Sequence, residues 1–401
     1  MEAERHAGKY RHETAPGRPV AEGSCQVALD EDGVYILPDR GGEIRLYYSD
    51  IDRVLDQEWH LSLAMCDGQV YTLYFLGSWY GQCVSDLRRL RGNQLTRNLL
   101  MLDGVAEKEF QGAYSFLSPD GLNHSDRSCK ITLYRTSLVV EPQQQDFWSA
   151  AYADVEFMQF DQAEYALRLQ LDLGERIAFS MLGTRFGELE REIKRLTEAM
   201  YTRTAANLQP FLPEIRQSAL QALSRTLRQG RAIHRDALHP EVWGQMQHLF
   251  FSTDDPARKE SFTYLTGQAA PEHVFIGLRE PFTASAPPIC WFVVAFPDRG
   301  TMAVEVTNEE GNATYVYRLS GPVGRAVTEL SRAMVALNFR RDVISASDKE
   351  LEGERMARYR VALRKLPHVR RLREMFVGKA AHTTAEAWQR RMDQLLKGVA
   401  P

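Results

Sequence analysis

The chain has 401 residues, of which 44% are hydrophobic and 25% are charged, and its formal net charge is −4. This length accommodates two or three domains with cores of their own, and this balance is that of a globular protein rather than a disordered one. The longest apolar run, ICWFVVAF at 289–296, has eight residues, whereas a membrane-spanning helix needs about 20. Composition therefore excludes a single small module, a disordered chain and a transmembrane helix.

The N-terminal segment, residues 1–22, is polar and mixed in charge, and it lacks the apolar core of a secretory signal. We expect a flexible arm here. The five cysteines show no CxxC or other metal-binding spacing, and a chain of this size does not need disulfide bonds to fold. Reduced thiols and a cytoplasmic location are therefore expected.

Residues 23–102 alternate short segments rich in β-branched and aromatic residues with turn residues. The segments are CQVAL, GVYIL, EIRLYY, HLSLAM and QVYTLYFL, and DEDG, DRGG and CDG lie between them. This pattern predicts antiparallel strands joined by tight turns. After Gly77, apolar residues recur at helical spacing, so we expect one amphipathic helix to follow the strands.

Residues 103–202 repeat this plan. At an offset of 104 residues SCQVAL matches SCKITL and YSDID matches YADVE, whereas LGSWYGQCVSDLRRL matches LGTRFGELEREIKRL at an offset of 106. An internal duplication explains the conserved order of these matches, and the change of offset predicts an insertion of two residues in one hairpin loop. In both copies a glycine, Gly77 or Gly183, lies where the last strand turns into the helix, which predicts a positive φ there.

Several strands followed by one C-terminal helix is an order that resembles the pleckstrin-homology (PH)/GRAM superfold, over residues 23–200 in two copies. The resemblance implies an α+β protein with tandem PH-like antiparallel sheets or partly open barrels, each capped by a C-terminal helix. It also implies that Lys or Arg in the first hairpin would hold a phosphorylated headgroup. Here that hairpin, VALDEDGVYI, is acidic, and Lys130 and Arg135 in the second copy form only a weak pair. Lipid-headgroup specificity is therefore disfavoured.

Three further segments complete the predicted organisation. Residues 203–260 are expected to form a helical connector, because apolar residues there share one helical face. Residues 261–345 end in a hairpin-then-helix pattern, which predicts a degenerate third PH-like unit, although the Pro-rich EPFTASAPP departs from the first two copies. Residues 346–401 are expected to be a basic helical C-terminal region, in which Pro367 separates two helices.

Positive charge is concentrated in this C-terminal region. Residues 355–397 carry a net charge of +9, so the rest of the chain carries −13. An apolar stripe runs beside the arginines, and it favours docking of these helices on protein. Either the region folds back on an acidic surface of its own chain, or it stays available to attract an external polyanion. The residues predicted to contact such a partner are Arg364, Lys365, Arg370, Arg371 and Arg373.

Cysteine and histidine have simple interpretations. Cys25 and Cys129 fall at equivalent places in the predicted first strands of the two copies, and core packing explains them better than redox chemistry because no electropositive setting adjoins them. His234 and His239 are five residues apart, which rotates them off the shared helical face that a zinc site needs. We infer no metal site.

Two Tyr-x-Asp pairs, Tyr48/Asp50 and Tyr152/Asp154, place two polar groups on one face of a strand, where they could line a pocket. The favoured interpretation is that Asp ends the strand or caps a turn while Tyr packs beside it. No catalytic triad, phosphate loop or other cofactor motif is present in the sequence, so we predict neither catalytic nor cofactor-binding residues.

These observations predict a non-enzymatic binding or scaffold protein. It would engage a macromolecule, with a protein as the favoured partner, through sheet edges, the grooves between tandem units and the basic C-terminal region. Peripheral association with anionic membrane and nucleic-acid binding through the basic helices are the alternatives. No small-molecule substrate is inferred.

Overall fold

The computed structural model describes residues 4–14, 19–99, 105–119, 121–142, 148–251, 256–279, 288–307, 313–347, 349–351 and 356–397. They form unit 1 (residues 4–99), unit 2 (105–208) and a C-terminal domain (209–397). The α+β prediction is confirmed: two curled antiparallel half-barrels follow one another in tandem, and a third sheet and several helices complete the chain. The two half-barrels are compatible with a PH-like fold.

Unit 1 is a seven-stranded antiparallel sheet in the order β4-β3-β2-β1-β7-β6-β5, followed by one helix. Its first strand is therefore central, and the sheet curls around an apolar core that the helix covers. The elements are β1 (His6–Glu13), β2 (Pro19–Leu29), β3 (Gly33–Pro38), β4 (Ile44–Tyr47), β5 (Ile51–Gln57), β6 (His60–Met65), β7 (Val70–Tyr74) and α1 (Tyr80–Leu99).

Unit 2 repeats the same seven-stranded order, β11-β10-β9-β8-β14-β13-β12, and the same terminal helix. The predicted duplication therefore extends to the strand topology. The elements are β8 (Lys108–Leu117), β9 (Asn123–Leu133), β10 (Ser137–Pro142), β11 (Trp148–Ala151), β12 (Val155–Asp161), β13 (Ala166–Leu171), β14 (Arg176–Ser180) and α2 (Phe186–Leu208).

The change of offset arises in one hairpin. Strands β5 and β12 correspond at an offset of 104 residues, and β6 and β13 at 106. Between them, unit 1 has the two-residue loop 58–59, and unit 2 has the four-residue loop 162–165. Both residues of the shorter loop, Glu58 and Trp59, have positive φ (49° and 64°), as a two-residue hairpin of this twist requires. The predicted two-residue insertion is confirmed.

One predicted boundary is wrong. Strand β1 and the start of β2 lie within residues 1–22, which the sequence analysis assigned to a flexible arm. In β1 only Tyr10 is fully buried, and its other residues are polar or small, so the strand lacks the apolar alternation by which strands are recognised. Consequently Cys25 and Cys129 lie in the second strands, β2 and β9, and not in the first.

The C-terminal domain contains a six-stranded antiparallel sheet in the order β15-β16-β17-β18-β19-β20. Its strands are β15 (Ile233–His234), β16 (Val274–Arg279), β17 (Ile289–Phe296), β18 (Thr301–Thr307), β19 (Ala313–Arg318) and β20 (Phe376–Ala381). Its helices are α3 (Gln217–Leu227), α4 (Pro240–Phe251), α5 (Pro256–Thr266), α6 (Val323–Ala336), α7 (Asp342–Ser345), α8 (Ala357–Lys365), α9 (Pro367–Met375) and α10 (Ala385–Lys397).

Helices cover both faces of this sheet, so the prediction of a third PH-like unit is wrong. All eight residues of β17 are buried: Trp291 and Val293 contact the cluster under α6–α9, while Phe292 and Val294 contact the cluster under α3, α4, α5 and α10. The predicted connector helices thus form one layer of this domain, and the predicted basic region supplies the helices α8–α10 and an edge strand. Pro367 does begin a new helix, as expected.

Unit 2 and the C-terminal domain share a helix. In α2, Leu189, Ile193 and Leu196 pack into the core of unit 2, and Ala205 and Leu208, at the end of the same helix, pack into the core of the C-terminal domain. Because apolar residues of this one continuous helix pack into both cores, α2 holds unit 2 and the C-terminal domain at a fixed distance from each other. The chain offers no such helix between unit 1 and the C-terminal domain in the part that the structure describes.

Candidate functional site

The turn after β4 fixes unit 1 to the C-terminal domain. Tyr48 is fully buried and its hydroxyl donates to the carbonyl oxygen of Asp30 at 3.0 Å. This anchors the turn and leaves Asp50 outside, where it accepts a hydrogen bond from Arg364 of α8 at 2.9 Å and lies 3.1 Å from the guanidinium group of Arg360 of the same helix. The favoured interpretation of the Tyr-x-Asp pair thus holds for the tyrosine, whereas the aspartate binds another domain.

Lys365, the last residue of α8, reaches the same face of unit 1. Its Nζ donates to the carbonyl oxygen of Asp52 at 2.5 Å and lies 3.3 Å from the Asp52 carboxylate. Arg364 also donates to the carbonyl oxygen of Ser49 at 3.4 Å. The acidic turn and the basic helix therefore form a compact ionic interface between unit 1 and α8.

The equivalent turn of unit 2 makes a more deeply buried interface. Asp154 accepts a hydrogen bond from Arg231, and Asp172 and Glu175, in the β13–β14 hairpin beside this turn, accept hydrogen bonds from Arg332, that of Glu175 at 2.6 Å. Asp172 also forms an ion pair with Arg231, and the Asp154 carboxylate lies 3.6 Å from the guanidinium group of Arg332. Burial alone would raise the pKa of Asp154, but the two guanidinium groups outweigh it and hold that pKa below its usual value. The carboxylate therefore stays ionised at neutral pH.

A cleft of about 1280 Å³ opens where unit 1, unit 2 and the C-terminal domain meet. Unit 2 supplies an apolar wall, in which the ring of Trp148 lies 5.9 Å from that of Tyr114 and 5.8 Å from that of Phe116. Two exposed leucines, Leu55 of unit 1 and Leu122 of unit 2, also line the cleft. Its volume exceeds the roughly 300–1,000 Å³ of a usual small-molecule pocket.

Basic side chains line the other two sides of the cleft. Among the described residues, ten lysines and arginines line the cleft against five carboxylates, an excess of five positive charges, and one of the ten, Lys130, belongs to unit 2. Unit 1 contributes arginines from β5 and α1, and the C-terminal domain contributes them from α6 and α9. The ten are Arg53, Arg88, Arg89, Arg91, Lys130, Arg325, Arg332, Lys365, Arg370 and Arg371.

Several of these cations are available to a ligand. Arg370 is exposed and makes no side-chain hydrogen bond or ion pair with any residue that the structure describes. Arg371 and Arg325 share one carboxylate, that of the buried Glu329, at 2.7 and 3.2 Å. Because one carboxylate neutralises only one of these two arginines, this edge of the cleft keeps a net positive charge. Across the cleft, Arg53 is 69% exposed.

The structure separates the five residues that the sequence predicted as partner contacts. Lys365, Arg370 and Arg371 line the cleft. Arg364 points away from it to Asp50, and Arg373 donates to the carbonyl oxygen of Ala346 at 2.7 Å within the C-terminal domain. Part of the basic region therefore folds back on its own chain, through Arg364 and Arg373, whereas Arg370 remains exposed.

Sequence reasoning missed the residues that other elements bring to the cleft. Arg88 and Arg89 belong to DLRRL, a segment that indicates the duplication, and Arg325 lies in the helix that ends the third hairpin-then-helix pattern. Their arrangement on exposed helical faces could have suggested a basic surface. The convergence of Arg88 and Arg89 with α9 could not be found, because these residues lie more than 270 residues from α9 in the chain.

The two cysteines behave as core residues. Cys25 and Cys129 are both buried, and burial raises the pKa of Cys25 to about 11 and that of Cys129 to about 12. Thiols with such pKa values are almost wholly protonated at neutral pH and are therefore weak nucleophiles. Within the described ranges, no three His, Cys, Asp or Glu residues are grouped so that they could hold a metal ion.

Comparison with known proteins adds no family: no family model matches the chain, and no curated protein matches it. Among the described residues, no helix has the length and apolar character needed to cross a bilayer.

Proposed function

We propose that this chain is a non-enzymatic binding protein, built on two PH/GRAM-like units, that receives an acidic segment of a partner protein in the three-domain cleft. The observation that carries the proposal is the pairing of an apolar wall with two arginine-rich sides in one concave site. An extended segment that alternates acidic and apolar side chains matches both surfaces, because the acids would meet the arginines while the apolar residues lie on unit 2.

The shape of the site favours a protein segment over the alternative partners. A flat bilayer cannot reach the walls of a concave cleft, so anionic membrane would contact only its rim. A nucleic-acid backbone would satisfy the arginines, but its phosphates would leave the exposed leucines Leu55 and Leu122 without an apolar partner. A protein segment supplies both kinds of side chain, and Arg and aromatic residues are enriched in the parts of protein interfaces that contribute most to affinity.

The test uses a fluorescein-labelled peptide of about 12 residues that alternates glutamate and leucine, with fluorescence anisotropy as the readout. The full chain should bind it, and Arg370→Glu should weaken binding about tenfold, or roughly 1.4 kcal/mol. Lys379→Glu is the matched control, because Lys379 is exposed in the same domain but does not line the cleft. Equal loss in the two variants would refute the cleft as the site.

The contribution of the apolar contacts to peptide binding is tested by a separate set of variants. Leu55→Ser and Leu122→Ser should each weaken binding of the same peptide, whereas Val20→Ser, an equally exposed position outside the cleft, should leave it unchanged. A peptide with serine in place of leucine should bind more weakly to the unmodified chain. Equal or tighter binding of a single-stranded oligonucleotide or of phosphatidylserine vesicles, with the same dependence on Arg370, would reject a protein segment as the ligand.

A further inference from the structure

Unit 1 and unit 2 contact the C-terminal domain through equivalent turns but with different degrees of burial. At the unit 2 turn, the side chains of Asp154 and its partner Arg231 are 16% and 9% exposed. At the unit 1 turn, those of Arg364 and Asp50 are 30% and 31% exposed. Salt screens exposed ion pairs far more than buried ones, so the two interfaces must differ in their response to ionic strength.

The apolar contacts point in the same direction. The four apolar clusters formed by the described residues lie within unit 1, within unit 2 and on the two faces of the third sheet, and none contains residues of both unit 1 and the C-terminal domain. Unit 2, in contrast, shares the helix α2 with the C-terminal domain. Unit 1 is therefore the body whose position depends most on ion pairs.

The same ion pairs border the cleft. Lys365 binds Asp52 and also lines the cleft, and one side of the cleft is formed by residues of β5 and α1, including Arg53 and Arg88. Helix α8 lies against both α1 and the turn of Asp50. Separation of unit 1 from α8 would thus remove one whole side of the site and free the cations of α8.

We infer that the contacts of Asp50 and Asp52 with Arg360, Arg364 and Lys365 form an electrostatic latch: unit 1 is held closed over the cleft by these ion pairs and swings away when they are broken. As a regulatory device for ligand access, the latch rests on the proposed function. An acidic ligand that reaches Lys365 competes with Asp52 for the same ammonium group. Acidic ligands and high ionic strength are therefore expected to favour the same open state.

Small-angle X-ray scattering of the ligand-free full chain tests the latch separately from ligand binding. A compact chain of this length has a radius of gyration of roughly 21 Å, and release of a domain of unit 1's size should raise it by about 3 Å. If the latch holds unit 1 in place, the radius of gyration should rise by this amount when the NaCl concentration is raised from about 0.05 M to 1 M. Asp50→Asn/Asp52→Asn should already show the larger radius at the lower salt concentration.

Two further variants make the result specific. Glu31→Gln/Glu43→Gln removes the same two negative charges from exposed positions of unit 1 and should scatter like the unmodified chain at each salt concentration. Asp50→Arg should open the latch, and addition of Arg364→Asp should close it again; a circular dichroism spectrum checks that each variant is folded. One radius for all variants at both salt concentrations would overturn the latch, whether or not the acidic peptide binds. An open variant that fails to bind the peptide would instead count against the proposed function.

Discussion

Asp50 and Asp154 occupy the same place in the two repeats, and each accepts arginine side chains from the C-terminal domain. The duplicated turn therefore acts as a docking point twice. The arginines come from different elements, since Asp50 contacts Arg364 of α8 and Asp154 contacts Arg332 of α6. The aspartate therefore has the same position in both repeats, but its side chain is buried to a different degree in each. This divergence leads to the first prediction.

Loss of the buried carboxylate should cost far more stability than loss of the exposed one. Asp154→Asn leaves Arg231 and Arg332 without one of their buried counter-charges, and we expect a cost of about 3 kcal/mol. Asp50→Asn removes ion pairs that are partly exposed to solvent, and it should lower the free energy of unfolding by about 1 kcal/mol or less. Differential scanning calorimetry of the two variants beside the unmodified chain gives the comparison. Equal shifts of the melting transitions would contradict the assigned difference in burial.

The strand-to-helix glycines provide the second prediction. Gly77 and Gly183 have φ of 57° and 56°, as predicted, and a Cβ at either position would meet nothing within 4 Å. Glycine is therefore needed at these positions for its backbone conformation and not because a side chain would lack space. Gly77→Val should destabilise unit 1 by at least about 1 kcal/mol, because β-branched residues disfavour positive φ, whereas Gly77→Asn should cost less since asparagine tolerates that region. Urea unfolding of both variants tests this order of stabilities. Identical unfolding midpoints would show that the turn does not require a positive φ at this position.

What the sequence could and could not predict follows from the range of the interactions. Most strand and helix patterns, the duplication and the inserted loop can be recognised from short stretches of sequence, whereas strand β1 cannot, because it lacks apolar alternation. The third sheet was misassigned because its local pattern also ends in a hairpin and a helix. The continuous apolar run at 289–296 was the available signal, since a strand buried on both faces shows no alternation. The cleft is formed by three domains together, so only Lys365 of α8 and the α9 arginines Arg370 and Arg371 could be predicted.

The double-sided burial of the third sheet gives the third prediction. A Cβ at Gly277 of β16 would lie 2.0 Å from Nε1 of Trp291, a fully buried indole that also donates to the carbonyl oxygen of Gly230 at 2.7 Å. The indole cannot move without losing that hydrogen bond, so Gly277→Ala should destabilise the C-terminal domain by about 2 kcal/mol or more.

The control is another glycine of the same domain. Gly244 lies exposed within α4, and a Cβ there would meet nothing within 4 Å. Gly244→Ala should therefore stabilise the helix by about 0.5–1 kcal/mol, through the usual preference for alanine in helices. Thermal melting of both variants is sufficient, and a Gly277→Ala protein that melts with the unmodified chain would show that the sheet has room on this face.

The last prediction concerns pH and His368, which lies in the first turn of α9 beside the buried cluster of Asp154, Arg231 and Arg332. Burial, together with the positive charge of Arg332, lowers the pKa of His368 from 6.5 to about 4. Below pH 6.5 the unfolded chain binds a proton at this residue that the folded chain does not bind. Stability should therefore fall as the pH drops from about 6.5 to 4, by up to about 3 kcal/mol from this group.

Asp154 acts in a separate pH window. Its folded pKa lies below the ordinary 3.8, so its contribution to stability is complete above that value and is lost only as the pH falls further. Denaturant unfolding at pH 7 and pH 5 can therefore isolate the histidine: His368→Gln, which cannot be protonated, should lose less stability between these two values than the unmodified chain. An equal loss in both proteins would mean that His368 takes up its proton as readily in the folded state as in the unfolded one, and that the cluster does not keep it neutral.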